Sequence, residues 1–129
     1  MQEDNQASAE AIHRLRTICM TLPEATERLS RGTPSFYVQG KRCFAMFVDD
    51  HHGDSNVGAW CAALPGVQQS LIEEAPEWFF KPPYVGHRGW IGIRLDRNLS
   101  WEELEEYVID AFIAVAPPKL SARIERTQL

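Results

Sequence analysis

The residues with the clearest chemical potential lie between Lys81 and Arg94, where positively charged side chains alternate with aromatic ones. Cationic groups bind phosphate oxygens, and aromatic rings stack on nucleic-acid bases for about 1–3 kcal/mol per base. Gly92, between Trp90 and Arg94, would leave the surface of a strand flat at that point. The mixture is typical of a surface that contacts a nucleic-acid strand or the edge of a groove. Its members are Lys81, Tyr84, His87, Arg88, Trp90 and Arg94.

A structural interpretation of the same residues stays open. Large aromatic side chains are usually mostly buried, so Trp90 could belong to a core and Arg94 to an ion pair with an acidic residue. His87 follows a glycine, in a context where histidine commonly bonds to a backbone carbonyl in a turn. Gly86 and Gly89 indicate a tight connection between two strands, which would make this segment the tip of a hairpin, or wing.

Other polar clusters carry weaker patterns. Residues 49–56 gather carboxylates and imidazoles that could hold a divalent metal, but their spacing matches no EF-hand loop, and a solvated loop is the simpler interpretation. Cys19, Cys43 and Cys61 are widely spaced in apolar surroundings, which is typical of reduced core thiols. The sequence contains neither a nucleophile elbow nor a glycine-rich phosphate motif. We therefore expect no catalytic residue, no metal, no cofactor and no enzymatic activity.

Composition limits the class of protein. The 129 residues, 44% hydrophobic and 24% charged, predict one globular domain over residues 1–129, with flexible ends at 1–7 and 121–129. The sequence has no apolar run long enough to span a bilayer and no signal-peptide pattern, so we expect a cytoplasmic protein without a membrane partner. The net charge of −5 means that any binding of nucleic acid must be local. The oligomeric state is left open.

Hydrophobic periodicity predicts eight elements in the order α-β-β-β-α-β-β-α. Strand runs flanked by helices, without strict alternation, predict a two-layer α+β domain with helices packed on an antiparallel sheet. Ser100 and Glu103 form a capping-box pattern that starts the last helix. The prolines near residue 82 restrict any strand there to a sheet edge. The predicted helices span about 8–22, 65–75 and 101–116, and the predicted strands 36–38, 42–48, 57–63, 78–85 and 89–95.

Several of these motifs together resemble the MmcQ/YjbR family. They are Leu22-Pro23-Glu24-Ala25-Thr26-Glu27, Phe36 with Val38 before Gly40-Lys41, Tyr84-Val85-Gly86-His87-Arg88-Gly89-Trp90 leading into Ile93 and Leu95-Asp96, then Trp101, Ala111 and Lys119-Leu120. The resemblance implies an α-β(3)-α-β(2)-α domain similar to the double-wing DNA-binding domain of a phage transcription factor. In many members a histidine directly precedes the tryptophan, whereas here Arg88-Gly89 separates His87 from Trp90.

The resulting hypothesis is a non-enzymatic DNA-binding protein with two wings. The Gly40 turn would supply Lys41 and Arg42, and the later segment would supply Lys81, Arg88 and Arg94 to phosphates and Tyr84, His87 and Trp90 to stacking or groove contacts. One alternative is a protein-interaction module resembling a secretion chaperone, which needs an exposed apolar patch. Another is a small-ligand site in a pocket lined by Trp78, Phe79, Tyr84, His87 and Trp90.

Overall fold

A computed structural model describes residues 2–49 and 57–124. The first helix, α1, spans Gln2–Met20 and therefore begins earlier than the predicted start near residue 8. Leu15 and Cys19 of α1 are fully buried, whereas His13 and Thr17 are exposed. The predicted amphipathic pattern therefore holds over the second half of this helix.

The chain then forms a six-stranded sheet in the order β1-β2-β3-β4-β6-β5, and all neighbouring strands are antiparallel. This arrangement, with helices packed on the sheet, confirms the predicted α+β class. The strands are β1 (Ala25–Ser30), β2 (Thr33–Val38), β3 (Arg42–Asp49), β4 (Val57–Cys61), β5 (Phe79–Phe80) and β6 (Ile91–Arg94).

Strand β1 is missing from the sequence-based prediction. Its residues, Ala-Thr-Glu-Arg-Leu-Ser, contain no apolar alternation, and Leu29 is 68% exposed. The strand forms because its backbone pairs along its whole length with β2, from Ala25 opposite Val38 to Ser30 opposite Thr33. A polar edge strand of this kind is held by backbone hydrogen bonds and not by hydrophobic burial, so periodicity does not reveal it.

A bulge in β3 decides which side chains face the helices. Phe36 pairs with Ala45 and Tyr37 with Cys43, which leaves Phe44 as the extra residue. Phe44 and Ala45 are both fully buried, and the Phe44 ring meets Phe112 edge-on with 5.3 Å between centroids. The bulge thus places two consecutive side chains on the helix side, where strict alternation would place one.

The helices α1 and α3 (Trp101–Val115) pack against one face of the sheet. The first turn of α3 has the predicted capping box: the Ser100 hydroxyl accepts from the Glu103 amide, and the Glu103 carboxylate accepts from the Ser100 amide. A shorter helix, α2 (Val67–Glu74), precedes β5. Burial raises the pKa of Tyr107 in α3, and nearby Glu103 and Glu74 raise it further. The Tyr107 ring meets Phe79 of β5 edge-on, with 5.0 Å between centroids.

The last described segment contains an element that the sequence analysis does not predict. After α3 the chain forms a one-turn helix, α4 (Pro118–Ser121), whose Leu120 is 5% exposed. Arg123 then forms an ion pair with Glu24, with 3.3 Å between the guanidinium nitrogen and the carboxylate oxygen. The start of β1 and the end of the described chain are therefore adjacent.

We call the sheet face opposite α1 and α3 the open face. The strand register aligns one open-face residue from each strand in a row across the sheet. In this row Arg28 is exposed and three side chains, Met46, Trp60 and Phe80, are partly exposed, whereas Ser35 is fully buried and Gly92 is buried. On the helix side, Ala45, Ala59 and Cys61 are all fully buried. The row contains Arg28, Ser35, Met46, Trp60, Gly92 and Phe80.

Gly92 is required in this row because the Phe80 ring lies against its α-carbon. A β-carbon at this position would lie 2.5 Å from two atoms of the ring. We expect Gly92→Ala to lower the free energy of unfolding by about 1–3 kcal/mol, the usual cost of overpacking, measured by urea denaturation. The double variant Gly92→Ala/Phe80→Leu, in which a smaller side chain replaces the ring, should recover part of the lost free energy of unfolding. A Gly92→Ala variant as stable as the unchanged protein would contradict this account.

Candidate nucleic-acid interface

The loop at residues 81–90 holds most of the predicted contacts and connects β5 to β6. Lys81, Tyr84, His87 and Arg88 are all exposed, and Tyr84 is 86% exposed. The loop is longer than the predicted tight hairpin, and its Gly86–Arg88 segment is a turn of 3₁₀ helix that ends at Gly89 with a φ of 86°. His87 and Arg88 therefore project from a helical turn and not from the tip of a two-residue hairpin.

Trp90 does not have the predicted stacking role on the surface. Its side chain is 4% exposed and belongs to the hydrophobic core. The Arg88 guanidinium carbon lies 5.4 Å from the centroid of its ring, and the Gln68 side-chain amide donates to its backbone oxygen at 2.6 Å. Because neither face of a buried ring can receive a base, the stacking assignment for Trp90 is wrong, and the burial interpretation is correct.

Arg94 lies on the open face, opposite Gly58 in the register of β4 and β6. Its guanidinium carbon is 4.8 Å from the centroid of the Phe80 ring. The same ring covers Gly92, so the flat area predicted there is occupied by an aromatic side chain of the edge strand. The Phe80 ring thus lies between Gly92 and the Arg94 guanidinium, which places a cation at this end of the open face.

Lys41 and Arg42 are exposed but do not share this surface. Arg42 pairs with Val38, a core residue, which places Arg42 on the side of the sheet that the helices cover. Both cations line a groove together with residues 115–118 at the end of α3. The Gly40 turn and the 81–90 loop consequently do not form two wings on one face.

Arg28 is a cation that the sequence analysis missed. Its guanidinium carbon lies 3.7 Å from the centroid of the Tyr37 ring, and its Nη1 donates to the Gly40 carbonyl at 2.9 Å. The register places it on the open face opposite Ser35. The signal that could have found it is the alternation of side chains in β1. Glu27 forms an ion pair with Arg16 of α1 and so faces the helices, which assigns the next residue, Arg28, to the open face.

Cys43 lies on the open face, because it pairs with Tyr37 in the ladder of β2 and β3. Burial raises the pKa of its thiol, and backbone groups of Ala45 and Phe36 and the charges of Arg88 and Arg28 oppose part of that rise. The thiol remains protonated at neutral pH, because the net direction of its pKa is upward.

The other two cysteines are core residues, as predicted. Cys19 and Cys61 are fully buried. Burial raises the pKa of Cys19 well above its usual value and that of Cys61 to about 12. Neither thiol is a nucleophile at neutral pH.

The alternative sites of the sequence analysis receive no support from the described residues. Most of the cluster of acidic and histidine residues at 49–56 lies outside the described residues. No group of three potential metal ligands occurs within residues 2–49 and 57–124. Of the residues expected to line a ligand pocket, Phe79 and Trp90 are core residues, whereas Tyr84 is fully outward. These side chains do not converge on one cavity.

The fold and its surface define a class: an α+β domain with helices on one face of an antiparallel sheet and arginines stacked on rings on the other. The chain belongs to the YjbR family, whose model matches residues 20–113. The fold is also similar to a crystal structure of the Deinococcus radiodurans protein DR2400, described by the family domain DUF419. The TM-score is 0.68 at 20% identity, over 84% of this chain and 80% of that one.

A search of curated proteins finds no match to the chain. Within the part of the chain that the structure describes, no helix is long and apolar enough to cross a membrane.

We expect Cys43 to be the one thiol that reacts readily in the folded protein. A thiol reagent should label one cysteine quickly and all three after unfolding, because Cys19 and Cys61 are buried. The rate for Cys43 should still be increasing at a pH where an ordinary free thiol has reached its maximum rate, since only the thiolate reacts and the pKa of Cys43 is raised. Cys43→Ser should remove the fast phase. Equal labelling rates for three thiols in the folded protein would contradict the burial described.

Proposed function

We propose that this YjbR-family protein is a non-enzymatic nucleic-acid-binding protein that uses its open sheet face and the adjoining 81–90 loop. The observation that carries the proposal is that Arg28, Arg88 and Arg94 each lie over an aromatic ring. A guanidinium that packs against a ring and forms no ion pair with a described carboxylate, as at Arg28 and Arg88, keeps N–H donors for phosphate oxygens. Stacking also restricts its side-chain rotamers before binding, which lowers the entropy cost of association.

The distribution of charge supports local binding by an acidic protein. The segment from Glu102 to Asp110 contains five acidic residues and no basic one, and it belongs to α3 on the helix-covered side. The proposed contacts face the opposite side of the sheet. A polyanion would therefore be repelled from the α3 surface and oriented toward the arginines.

The absence of enzymatic activity is part of the same proposal. Nucleophilic catalysis requires an activated group, and burial keeps the thiol of Cys43, the one cysteine that is not fully buried, in its protonated form. His87 is exposed on the 3₁₀ turn, and it is assigned here to hydrogen bonding with the ligand.

A protein-interaction role is the second candidate, and it would require a contiguous apolar patch. The most exposed large apolar side chains come from separate segments of the chain: Met20, Leu29, Leu64, Tyr84, Trp101 and Ile113. Binding through such a patch would be insensitive to salt, which separates it from the proposed function.

We expect fluorescence anisotropy with labelled DNA to show binding that weakens steeply between about 50 and about 200 mM salt. Two phosphate contacts, at Arg28 and Arg88, predict a slope of log affinity against log salt of about −1.8 for a duplex and about −1.4 for a single strand. Arg88→Ala should make the slope shallower by about 0.9 for a duplex, which corresponds to the loss of one phosphate contact. Arg42→Ala removes the same charge from the other face and should leave the slope unchanged.

Absence of binding to both duplex and single-stranded DNA at the lower salt would refute the proposed function. If Arg88→Ala and Arg42→Ala lowered the affinity for DNA equally, the assignment of the site to the open face would be refuted, and nucleic-acid binding would remain in place.

A further inference from the structure

We infer that the ligand is single-stranded nucleic acid, lying across the open face with its phosphates on Arg28 and Arg88 and a base stacked on Trp60. The inference rests on the proposed function and adds to it the form of the ligand and the residues that recognise it.

The open face has the layout of a strand-binding surface. Met46 and Trp60 are adjacent in the central row, and the Phe80 ring lies over the next position, Gly92. Together they form an apolar strip in the middle of the sheet. Arg28 lies at one end of this row, and Arg94 stacks on Phe80 at the other. Five intervals of about 4.8 Å between strands make the row about 24 Å long, enough for a short run of nucleotides.

Arg28 and Arg88 are the two cations whose charges reach the Cys43 thiol. Arg28 reaches over Tyr37, the direct partner of Cys43 in the ladder. Arg88 lies over Trp90 at the end of the 81–90 loop, and both charges act on the Cys43 thiol. Within the described residues, no carboxylate forms an ion pair with either guanidinium. Both groups are therefore held in place by rings and a backbone carbonyl and retain N–H donors for an anion.

Trp60 is the ring placed to receive a base. It lies on the open face of β4 and is partly exposed, whereas its strand neighbours Ala59 and Cys61 are fully buried on the other face. A base has an accessible π-face only when it is unpaired or splayed out, so an aromatic strip on a sheet face suits a single strand. A duplex hides its bases, and reading its major groove requires an inserted helix or ribbon. The open face offers neither.

The first experiment compares a labelled single-stranded oligonucleotide with the duplex of the same length by anisotropy. We expect the single strand to bind about tenfold more tightly, consistent with about 1–3 kcal/mol from one stacked base. Arg28→Ala/Arg88→Ala should lose about tenfold or more in affinity, because two phosphate contacts disappear. Lys41→Ala/Arg42→Ala, with the same change in charge on the other side, should change it less than about twofold.

Two variants of Trp60 test the stacking contact. Trp60→Phe retains a ring and should keep most of the affinity, whereas Trp60→Leu should lose about fivefold or more, the lower range of one stacking interaction. Both should leave the salt slope unchanged, because no charge is altered. Thermal unfolding of each variant confirms that the comparison is made on folded protein.

Protection of Cys43 locates the ligand independently of affinity. A saturating single-stranded oligonucleotide should slow thiol labelling of Cys43 by about fivefold or more, since a strand held by Arg28 and Arg88 covers the thiol. Binding without protection, or equal affinity for single strand and duplex, would overturn the inference and leave the proposed function standing. Equal losses of affinity in the two double variants would overturn the inference and the assignment to the open face, and would leave only nucleic-acid binding in place. Failure to bind any oligonucleotide would overturn both.

Discussion

The packing of Phe44 against Phe112 is the contact on which the rest of the structure depends. It joins β3, in the middle of the sheet, to α3, and both rings are fully buried. The bulge that allows it lets Phe44 and Ala45 point to the same side. After the bulge the alternation resumes with its phase shifted, so Met46 and Val48 face away from the helices. The helix-side core therefore sets which residues β3 presents on the open face.

Two further features follow from that division of the sheet. The helix side gathers the acidic residues of α3 on its outer surface, while the open face carries arginines on rings. Phe80 comes from a two-residue edge strand and still covers the sheet, because Gly92 and Gly58 provide no side chain beneath it. An edge strand bounded by prolines thus contributes one ring to the core at Phe79 and another to the open face at Phe80.

Local signals were enough to predict much of this fold. The capping box at Ser100, the strands around Phe36, Phe47 and Ala59, and the edge position of the proline-flanked strand all have causes that lie within a few residues. Strand β1 was missed because it depends on backbone pairing with β2. The bulge was missed because it depends on the register between β2 and β3 and on the packing of Phe44 against Phe112. The burial of Trp90 was an open alternative for the same reason, since its covering residues, among them Arg88, are placed by the fold.

The candidate site was predicted only in part, and the error has a physical origin. Residue type identified Arg88 and Arg94 as candidate contacts. Residue type and spacing cannot assign a cation to one face of the sheet when a strand is unrecognised. Arg28 was therefore omitted and Arg42 was included. The shared fold with DR2400, at 20% identity, does not carry a function to this chain. Any binding by this chain depends on its own side chains.

Arginine, and not lysine, provides the proposed contacts on the sheet, and the net charge of −5 gives a reason. An acidic protein cannot hold a polyanion by diffuse attraction, so a few contacts must each be well oriented. A lysine ammonium is strongly hydrated and moves on a flexible stem, whereas a guanidinium stacks on a ring and keeps a fixed donor geometry. Tyr37, Trp90 and Phe80 supply those rings from β2, the 81–90 loop and β5. On this argument the buried Trp90 still serves binding, as the support that positions Arg88.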